Sequence, residues 1–301
     1  MESKNNYTHH VDSKNAQFWS SIRFPLFGAD PPRSHHWLKD FRKQIQEDLS
    51  HLKLGHGDIL YASYVSSEKG FFDVENVLFY NIGPTHFDNL TRNGLMFERG
   101  IIEPPKIDKF IFPHFQQYSI EKSSFSYWEH ENELATFSSA PLKISYWFAN
   151  PKTRVDDIWF SLKRGNIKSL DSAEVPQYFG LNIEVKCNKK TIISRSLKVW
   201  LDGIVAAFQF HLNGDEPSLF DETSKRLGID SEKVKELLLD KKNAVLGSAK
   251  LISKFQQTSI KWNPKDDGLV AVKIIPKYSD LEYTTFSGKI YSVKTPDPED
   301  N

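Results

Sequence analysis

The stretch Ile59-Leu60-Tyr61-Ala62-Ser63-Tyr64-Val65 is mostly apolar, and the acidic stretch Phe72-Asp73-Val74-Glu75-Asn76-Val77-Leu78 follows it closely. The first stretch predicts a β-strand, because it is rich in residues that favour extended backbone. The second places two carboxylates between apolar neighbours. Such carboxylates cost free energy unless they are paired, hydrogen-bonded or bound to a metal. A strand leading into an acidic turn or helix is therefore the first clue to both fold and function.

Acidic residues recur in the same kind of setting later in the chain. Asp202 stands in the apolar stretch 197–204, and Asp266-Asp267 precede the apolar stretch 269–275. The surroundings of Asp73 and Asp202 are similar enough to suggest a diverged duplication. Chance similarity between amphipathic segments explains them as well, and both interpretations stay open.

Helical and extended patterns alternate along the rest of the chain. Helices are predicted after Pro31-Pro32 with Ser34 as the cap, after Asp156-Asp157, over 196–210 and from Asp230-Ser231 through Leu239 to an end near Gly247. Strands are predicted over 59–65, 110–113, 125–128, 142–148, 181–187 and 269–275. This order predicts an α+β or α/β fold with mixed sheets and flanking helices, in two similar halves if the duplication is real.

The composition of the ends and the middle predicts the domain organisation. The polar residues 1–20 predict a loose N-terminal arm, and 295–301 predict a tail. A soft boundary near 149–155 predicts an N-terminal α/β half over 21–150 and a C-terminal α/β half over 151–294.

Bulk composition limits the function classes. The 301 residues are 39% hydrophobic, and 39 basic residues balance 39 acidic ones. A sizeable core is therefore expected, and zero net charge argues against a basic nucleic-acid coat protein while allowing a local basic groove. The single cysteine, Cys187, predicts a reducing compartment. With no membrane-length apolar run and no apolar signal sequence, we expect a soluble, cytoplasmic protein with no membrane partner.

The first acidic segment has two interpretations. If Asp73 and Glu75 lie on a strand, they share a face and can both bind one Mg²⁺ or Mn²⁺, with Asn76 orienting either carboxylate. Alternatively, Asp73 and Asn76 cap backbone amides in a turn ahead of a helix.

The later acids have alternatives of the same kind. Asp202 is either a metal ligand or general base, or the i+4 ion-pair partner of Lys198. Lys198 itself can stabilise charge on a phosphate. Asp266 and Asp267 either complete the metal site or form an ordinary acidic turn after Asn263-Pro264.

One further motif has a possible metal role. Glu184-Val185-Lys186 matches the E-x-K part of certain Mg²⁺ nucleases, in which Asp171 or Asp157 would supply the upstream acid. An exposed strand with ion pairs explains the same tripeptide. The chain contains no Walker A sequence, no G-x-G-x-x-G and no G-x-S-x-G.

The segment 59–78 resembles RusA-type Holliday junction resolvases, in which a strand leads into D-x-D-N at the start of a helix and a later D-D precedes a strand. The matching residues are Asp73-Val74-Glu75-Asn76 and, more distantly, Asp266-Asp267, with Asp202 as an alternative counterpart. Glu75 replaces an Asp of that pattern, and Phe79 stands where the family usually places a Lys. The resemblance covers about a tenth of the chain and implies metal-dependent nuclease chemistry.

The leading hypothesis is therefore an Mg²⁺-dependent or Mn²⁺-dependent nuclease, or a related phosphodiester-cleaving protein that binds DNA or other nucleic acid. Asp73, Glu75, Asp202 and Lys198 are the catalytic candidates; the metal ligands are Asp73, Glu75, Asp202, Asp266 and Asp267. The alternative is a non-catalytic subunit of a protein assembly. It would use an aromatic surface with Tyr127, Trp128, Tyr146 and Trp147, although core packing explains such residues too.

Overall fold

The structure, a computed structural model, describes residues 6–24, 35–68, 72–107, 111–120, 124–143, 146–147, 150–151, 153–170, 174–212, 216–255 and 259–296. A large mixed sheet carries helices, as expected for an α+β fold. In these ranges, no helix is both long enough and apolar enough to cross a membrane.

The elements of the first part of the chain surround the strand predicted at residue 59. The strands are β1 (Tyr7–Val11), β2 (Asn15–Ser20), β3 (Leu60–Ser66), β4 (Leu95–Gly100) and β5 (His114–Ser119). Helix α1 (Trp37–Leu49) precedes β3, and a π-helix (Asn76–Tyr80) and a 3-10 helix (Pro84–Phe87) lie between β3 and β4.

The second part of the chain contains more elements than the first. The strands are β6 (Glu129–Ser138), β7 (Leu142–Lys143), β8 (Tyr146–Trp147), β9 (Asn150–Pro151), β10 (Asn166–Ser169), β11 (Phe179–Asn188), β12 (Phe210–His211), β13 (Ser248–Ala249), β14 (Ile252–Phe255), β15 (Ser259–Trp262), β16 (Leu269–Ser279) and β17 (Tyr283–Lys294). The helices are α2 (Val155–Lys163), α3 (Ile193–Ala207), α4 (Pro217–Leu227) and α5 (Ser231–Leu239).

The main sheet contains two sets of strands with the same topology. Its order is β1-β2-β5-β3-β4-β16-β11-β17-β6-β10. In the first set, β2 is antiparallel to β5, β5 is antiparallel to β3, and β3 is parallel to β4. In the second set, β6 is antiparallel to β17, β17 is antiparallel to β11, and β11 is parallel to β16. Numbered along the chain, the strands of each set lie in the order 1-4-2-3.

The two sets meet at β4 and β16, which pair antiparallel from Leu95 with Ile274 to Glu98 with Ala271. Antiparallel pairing of equivalent strands relates the sets by an approximate two-fold rotation perpendicular to the sheet. Each set has a helical crossover between its parallel strands, and such crossovers share one handedness. Both crossovers therefore lie on the same face of the sheet.

One continuous core fills the space between the sheet and the helices. Phe41 of α1, Phe79 of the first crossover and Trp200 of α3 belong to the same buried cluster as Leu181 and Ile183 of β11. Strand residues alternate between faces, so the intervening residues of β11 point away from the helices. The core thus joins both strand sets into one packed layer.

Several predicted elements are confirmed. Helix α1 buries Trp37, Phe41, Ile45 and Leu49 as its spacing predicted, whereas the proposed cap Ser34 lies outside the described residues. Strands β3, β11 and β16 and helices α2 and α3 also stand where the sequence predicted them, whereas α5 ends at Leu239 and not near Gly247. The cap of α5 is Asp230, whose carboxylate accepts a hydrogen bond from the Glu232 backbone N–H.

The prediction of a loose arm over residues 1–20 is wrong for the described part of that segment. Residues Tyr7–Val11 and Asn15–Ser20 form a hairpin at the edge of the main sheet. Ala16 and Phe18 are buried there, because their side chains complete the core over α1. Most of the predicted tail lies outside the described residues.

The short strands predicted over 110–113 and 125–128 are also wrong where residues are described. Strands begin only after them, at His114 and Glu129. In the second stretch, the backbone N–H groups of Ser126 and Tyr127 donate to the carboxylate of Glu98 at 2.5 and 2.9 Å, so they do not join a strand ladder. In the described part of the stretch 142–148, where one strand was predicted, two short strands are found. They are β7, which pairs with β17, and β8, which pairs with β9.

The boundary predicted near residue 150 divides the chain into two domains, and it stays a prediction. The sheet itself groups β6, which ends at Ser138, with the second set of strands. By topology, the second set therefore begins between β5 and β6.

Candidate functional site

Five predicted site residues meet at one point of the structure. The Lys198 Nζ atom lies 2.9 Å from Asp73 Oδ2, 2.9 Å from Glu75 Oε1 and 2.9 Å from Asp202 Oδ1. It lies 3.0 Å from Asp266 Oδ2. We call these four carboxylates and the ammonium group the acidic cluster. Its formal charge is −3 when all five groups are ionised.

The fold explains why residues so distant in sequence converge. Asp73 follows β3, which is parallel to β4, and Asp266 precedes β16, which is antiparallel to β4. The end of β3 and the start of β16 therefore lie at the same edge of the sheet, namely the edge formed by the ends of its strands. Helix α3 leaves the far end of β11 and runs back toward this edge at about 1.5 Å per residue, which brings Lys198 and Asp202 to the other two acids.

A second contact fixes the approach of the two crossovers. Arg195 of α3 donates to both carboxylate oxygens of Asp88, directly after the 3-10 helix of the first crossover. Ser194 Oγ donates to the same carboxylate at 3.0 Å. These bonds hold α3 against the segment that carries Asp73 and Glu75.

The neighbours of the cluster orient its carboxylates. Asn76 Nδ2 donates to Asp73 Oδ2 at 2.6 Å, in agreement with the orienting role predicted for it. The Asn76 backbone N–H also bonds to the Asp73 carbonyl at 3.1 Å, so the segment is a turn that enters a helix rather than a strand. Asp202 and Asp266 share a side-chain hydrogen bond.

Burial makes the cluster electrostatically unusual. Glu75 is only 2% exposed, and this desolvation raises its pKa to about 7 against the opposing effect of Lys198. Desolvation likewise raises the pKa of Asp266 to about 8, and it raises the pKa of Asp202. For Lys198, burial disfavours the charge, but the four carboxylates together outweigh it and raise the pKa of the ammonium. Part of the cluster is therefore expected to hold protons near neutral pH.

The donor set fits a hard divalent cation. Asp73, Glu75 and Asp266 each offer one carboxylate oxygen, and these oxygens lie within 4.8 Å of one another. Oxygen ligands at about 2.0–2.6 Å from one ion satisfy this spacing. Glu75 Oε1 and Asp202 Oδ1 are buried without a hydrogen-bond donor in good geometry. The Lys198 ammonium group contacts carboxylate oxygens of the same three residues, so it partly neutralises the charge that a bound ion would neutralise.

Not every predicted ligand joins the cluster. Asp267 has no ion pair with Lys198 among the contacts of the described residues, and its charge acts instead on Arg99. Asp267 and Asp266 both line an open groove of about 860 Å³ with Lys250 and Lys265. Through this groove, solvent reaches the Asp266 side of the cluster.

The E-x-K tripeptide lies elsewhere. Glu184 and Lys186 are exposed on the face of the sheet opposite the helices, and Glu184 Oε2 lies 4.0 Å from Lys277 Nζ. This is the exposed ion-pair strand that the sequence allowed as the alternative. Asp157, a suggested upstream acid, pairs with Arg154 at 2.9 Å, and Asp171 lies outside the described residues.

The aromatic residues of the alternative hypothesis are mainly structural where they are described. Trp128 is buried, and its Nε1–H donates to the Arg99 carbonyl at 2.6 Å. The side chains of Tyr146 and Trp147 lie outside the described residues. Cys187 is buried in the core, and desolvation raises the pKa of its thiol to about 11, as expected for an inert thiol.

Sequence reasoning missed Tyr80, a half-buried residue at the end of the π-helix. Desolvation, followed by the charge of Asp202, raises the pKa of its phenol. No motif marks it, because only the helical turn after Asp73 brings it to the cluster.

Comparison with protein-family models, curated proteins and solved structures finds no match to this chain.

Proposed function

We propose that this chain is a divalent-metal-dependent nuclease or a closely related phosphodiesterase that acts on nucleic acid. The main support is the convergence of Asp73, Glu75 and Asp266 around Lys198, from three separate parts of the sequence. The resemblance of 59–78 to RusA-type resolvases, carried by Asp73 and Glu75, points in the same direction. A bacterial cytoplasmic location is part of this proposal.

The residues of the cluster would divide the work of the reaction. Asp73, Glu75 and Asp266 would hold Mg²⁺ or Mn²⁺, which when bound activates water and stabilises charge on the phosphate. Lys198 would leave the carboxylates that the ion neutralises and donate to a phosphate oxygen. Asp202, which is not needed as a ligand, would accept a proton from the attacking water.

The test is metal-dependent cleavage of branched, single-stranded and duplex DNA with Mg²⁺ or Mn²⁺. We expect Asp73→Asn to reduce cleavage by a factor of about 100 or more, since a lost ligand weakens both ion binding and positioning. Asp280→Asn is the matched control, because Asp280 is exposed and pairs with the exposed Lys189 at 3.1 Å. Equal cleavage by the wild type and Asp73→Asn would contradict the proposed site.

A second candidate is a non-catalytic binding subunit in which the acidic cluster only joins the two strand sets. The observation in its favour is that Lys198 contacts all four carboxylates, as a structural ion network would. Thermal unfolding separates the candidates. A cation that binds the folded state raises the midpoint, whereas a purely structural network predicts no rise with Mg²⁺ or Mn²⁺.

A further inference from the structure

Two arginines contact one aromatic ring beside the acidic cluster. The Arg99 guanidinium carbon lies 4.2 Å from the centroid of the Phe72 ring, and that of Arg23 lies 4.8 Å from it. The Tyr64 ring meets Phe72 at 5.2 Å with an interplanar angle of 89°. Because Tyr64 is buried, its edge contact fixes the position of the Phe72 ring that both guanidinium groups approach.

This arginine pair, Arg23 and Arg99, lies at the same edge of the sheet as the acidic cluster. Phe72 directly precedes Asp73 in the chain. On the other side, Asp267 directly follows Asp266, and its charge acts on Arg99. Phe72, which the pair contacts, and Asp267, whose charge acts on Arg99, therefore each adjoin a proposed metal ligand in the chain.

The charges of the pair favour an anionic ligand. Arg23 is exposed, and it forms no ion pair with a carboxylate among the residues that the structure describes. Arg99 is half-buried, and its burial lowers its pKa; nearby Arg23 lowers it too, whereas Tyr178, Tyr64 and Asp267 oppose the shift. An aromatic face offsets repulsion between guanidinium groups only in part. A phosphate would offset it further, since guanidinium groups bind phosphate oxygens through paired hydrogen bonds.

We propose that Arg23 and Arg99 form a clamp for a phosphate group of the substrate, with Phe72 as the platform that spaces them. The inference deepens the proposed function and rests on it for the substrate class. Since Phe72 directly precedes Asp73, the scissile phosphate at the metal ligands would be a neighbour of the clamped phosphate in the nucleic acid.

Binding without cleavage tests the clamp. The probe is a labelled single-stranded oligonucleotide, and its anisotropy is measured in EDTA over a range of salt concentrations. We expect Arg23→Gln and Arg99→Gln each to weaken binding about tenfold or more. Each should also reduce the magnitude of the salt slope by about 0.7. Arg99→Lys should weaken binding less than Arg99→Gln, because lysine keeps the positive charge. It should still weaken binding, because lysine lacks the planar guanidinium group that forms paired hydrogen bonds.

The matched control is Arg164→Gln. Arg164 also lies over a phenylalanine ring, 5.3 Å from the centroid of Phe160, but it follows α2 and contacts no part of the cluster among the described residues. It should leave affinity and salt slope unchanged. Because Arg23 is exposed, its variant tests the clamp even if Arg99→Gln is poorly folded.

Competition with inorganic phosphate distinguishes the source of the phosphate group. Arginine-dependent binding of both the oligonucleotide and inorganic phosphate supports a clamp in a nuclease. Arginine-dependent binding of inorganic phosphate alone supports the clamp but contradicts a nucleic-acid substrate. Wild-type affinity and slope in both arginine variants would overturn the clamp, even if Asp73→Asn abolishes cleavage.

Discussion

Lys198 determines the charge state of the acidic cluster. A buried ion pair that loses one member leaves an uncompensated charge, which typically costs more than the pair contributes. Here one ammonium group compensates four carboxylates at 2.9–3.0 Å. Its removal therefore affects all four at once.

We expect Lys198→Met to reduce the free energy of unfolding by about 3–5 kcal/mol at pH 8. The loss should be smaller at pH 5, because the carboxyl groups then take up protons. Urea unfolding at both pH values measures it. Lys189→Met is the control, since its exposed ion pair should contribute less than about 1 kcal/mol. Equal losses in the two variants would contradict a central role for Lys198.

Glu75 links stability to pH in a defined direction. Its pKa is about 7 in the folded protein and 4.5 ordinarily, so the folded state binds more protons between these values. The free energy of unfolding therefore falls as pH rises through this window, by about 1.4 kcal/mol per unit for one group. We expect Glu75→Gln to remove this contribution and make the profile less steep between pH 5 and 7, while the raised pKa of Asp266 maintains part of the slope. An unchanged profile would show that Glu75 titrates normally.

Metal binding should have the opposite dependence on pH. Cation ligands must be deprotonated, and the pKa of Asp266 is raised to about 8. We expect the increase in melting temperature caused by Mg²⁺ or Mn²⁺ to grow between pH 6 and 8.5. Differential scanning fluorimetry at fixed metal concentration measures this trend. An increase that is independent of pH would exclude these carboxylates as the ligands.

At this scale the sequence predicted the identity of the residues better than their roles. Asp73, Glu75 and Asp202 were predictable because carboxylates near apolar residues need a partner, and Lys198 because it stands four residues before Asp202. Asp266 was predictable as one of two acids in a turn before a strand. That one ammonium contacts all four acids depends on the direction of α3 and on strand pairing, since 125 residues of sequence separate Asp73 from Lys198. Arg23 and Arg99 carried no signal, because an isolated arginine is compatible with any surface.

At the scale of elements, α3 positions Lys198 through its packing on α2. A Cβ atom on Gly203 would lie 2.5 Å from Ile158 Cβ and 3.1 Å from the Val155 carbonyl oxygen. The glycine therefore permits close approach of the two helices. Glycine in a helix costs about 1 kcal/mol relative to alanine, so its presence next to Asp202 reflects this contact.

We expect Gly203→Ala to destabilise the protein by about 1–2 kcal/mol, because overpacking outweighs the gain in helix propensity. The displaced helix should also weaken the metal-dependent rise in melting temperature. Chemical denaturation and scanning fluorimetry measure the two effects. Stabilisation by about 1 kcal/mol, as at an exposed helix glycine, would contradict the close packing of α2 and α3.

Elements were predictable where one pattern dominated. The apolar spacing of α1 and α3 and the alternation in β11 identified them. Strands β1 and β2 were missed because their polar residues, such as His9 and His10, occupy an edge of the sheet where such residues are tolerated. The stretch at Ser126 failed for another reason, since its backbone bonds to the buried side chain of Glu98.

At the scale of the whole molecule, the 1-4-2-3 order of both strand sets supports the duplication that the acidic segments suggested. Asp73 and Glu75 lie in the first crossover, and Lys198 and Asp202 lie in the second. The acidic cluster is therefore shared between the two sets. Sequence alone could not establish this, because the crossovers differ in length and helix type.

The shared cluster predicts the behaviour of a divided chain. We expect fragments 1–122 and 123–301, when expressed together, to associate through the β4–β16 pairing and recover the metal-dependent rise in melting temperature. Each fragment alone should lack it, because the first carries only Asp73 and Glu75 and the second only Lys198, Asp202 and Asp266. Exposed strand edges should also make each fragment aggregate. Size-exclusion chromatography and scanning fluorimetry measure both effects. The control is a pair of fragments divided near residue 150, which should associate less well because this division separates β6 from β17. A full metal response from 123–301 alone would show that the first strand set contributes no ligand.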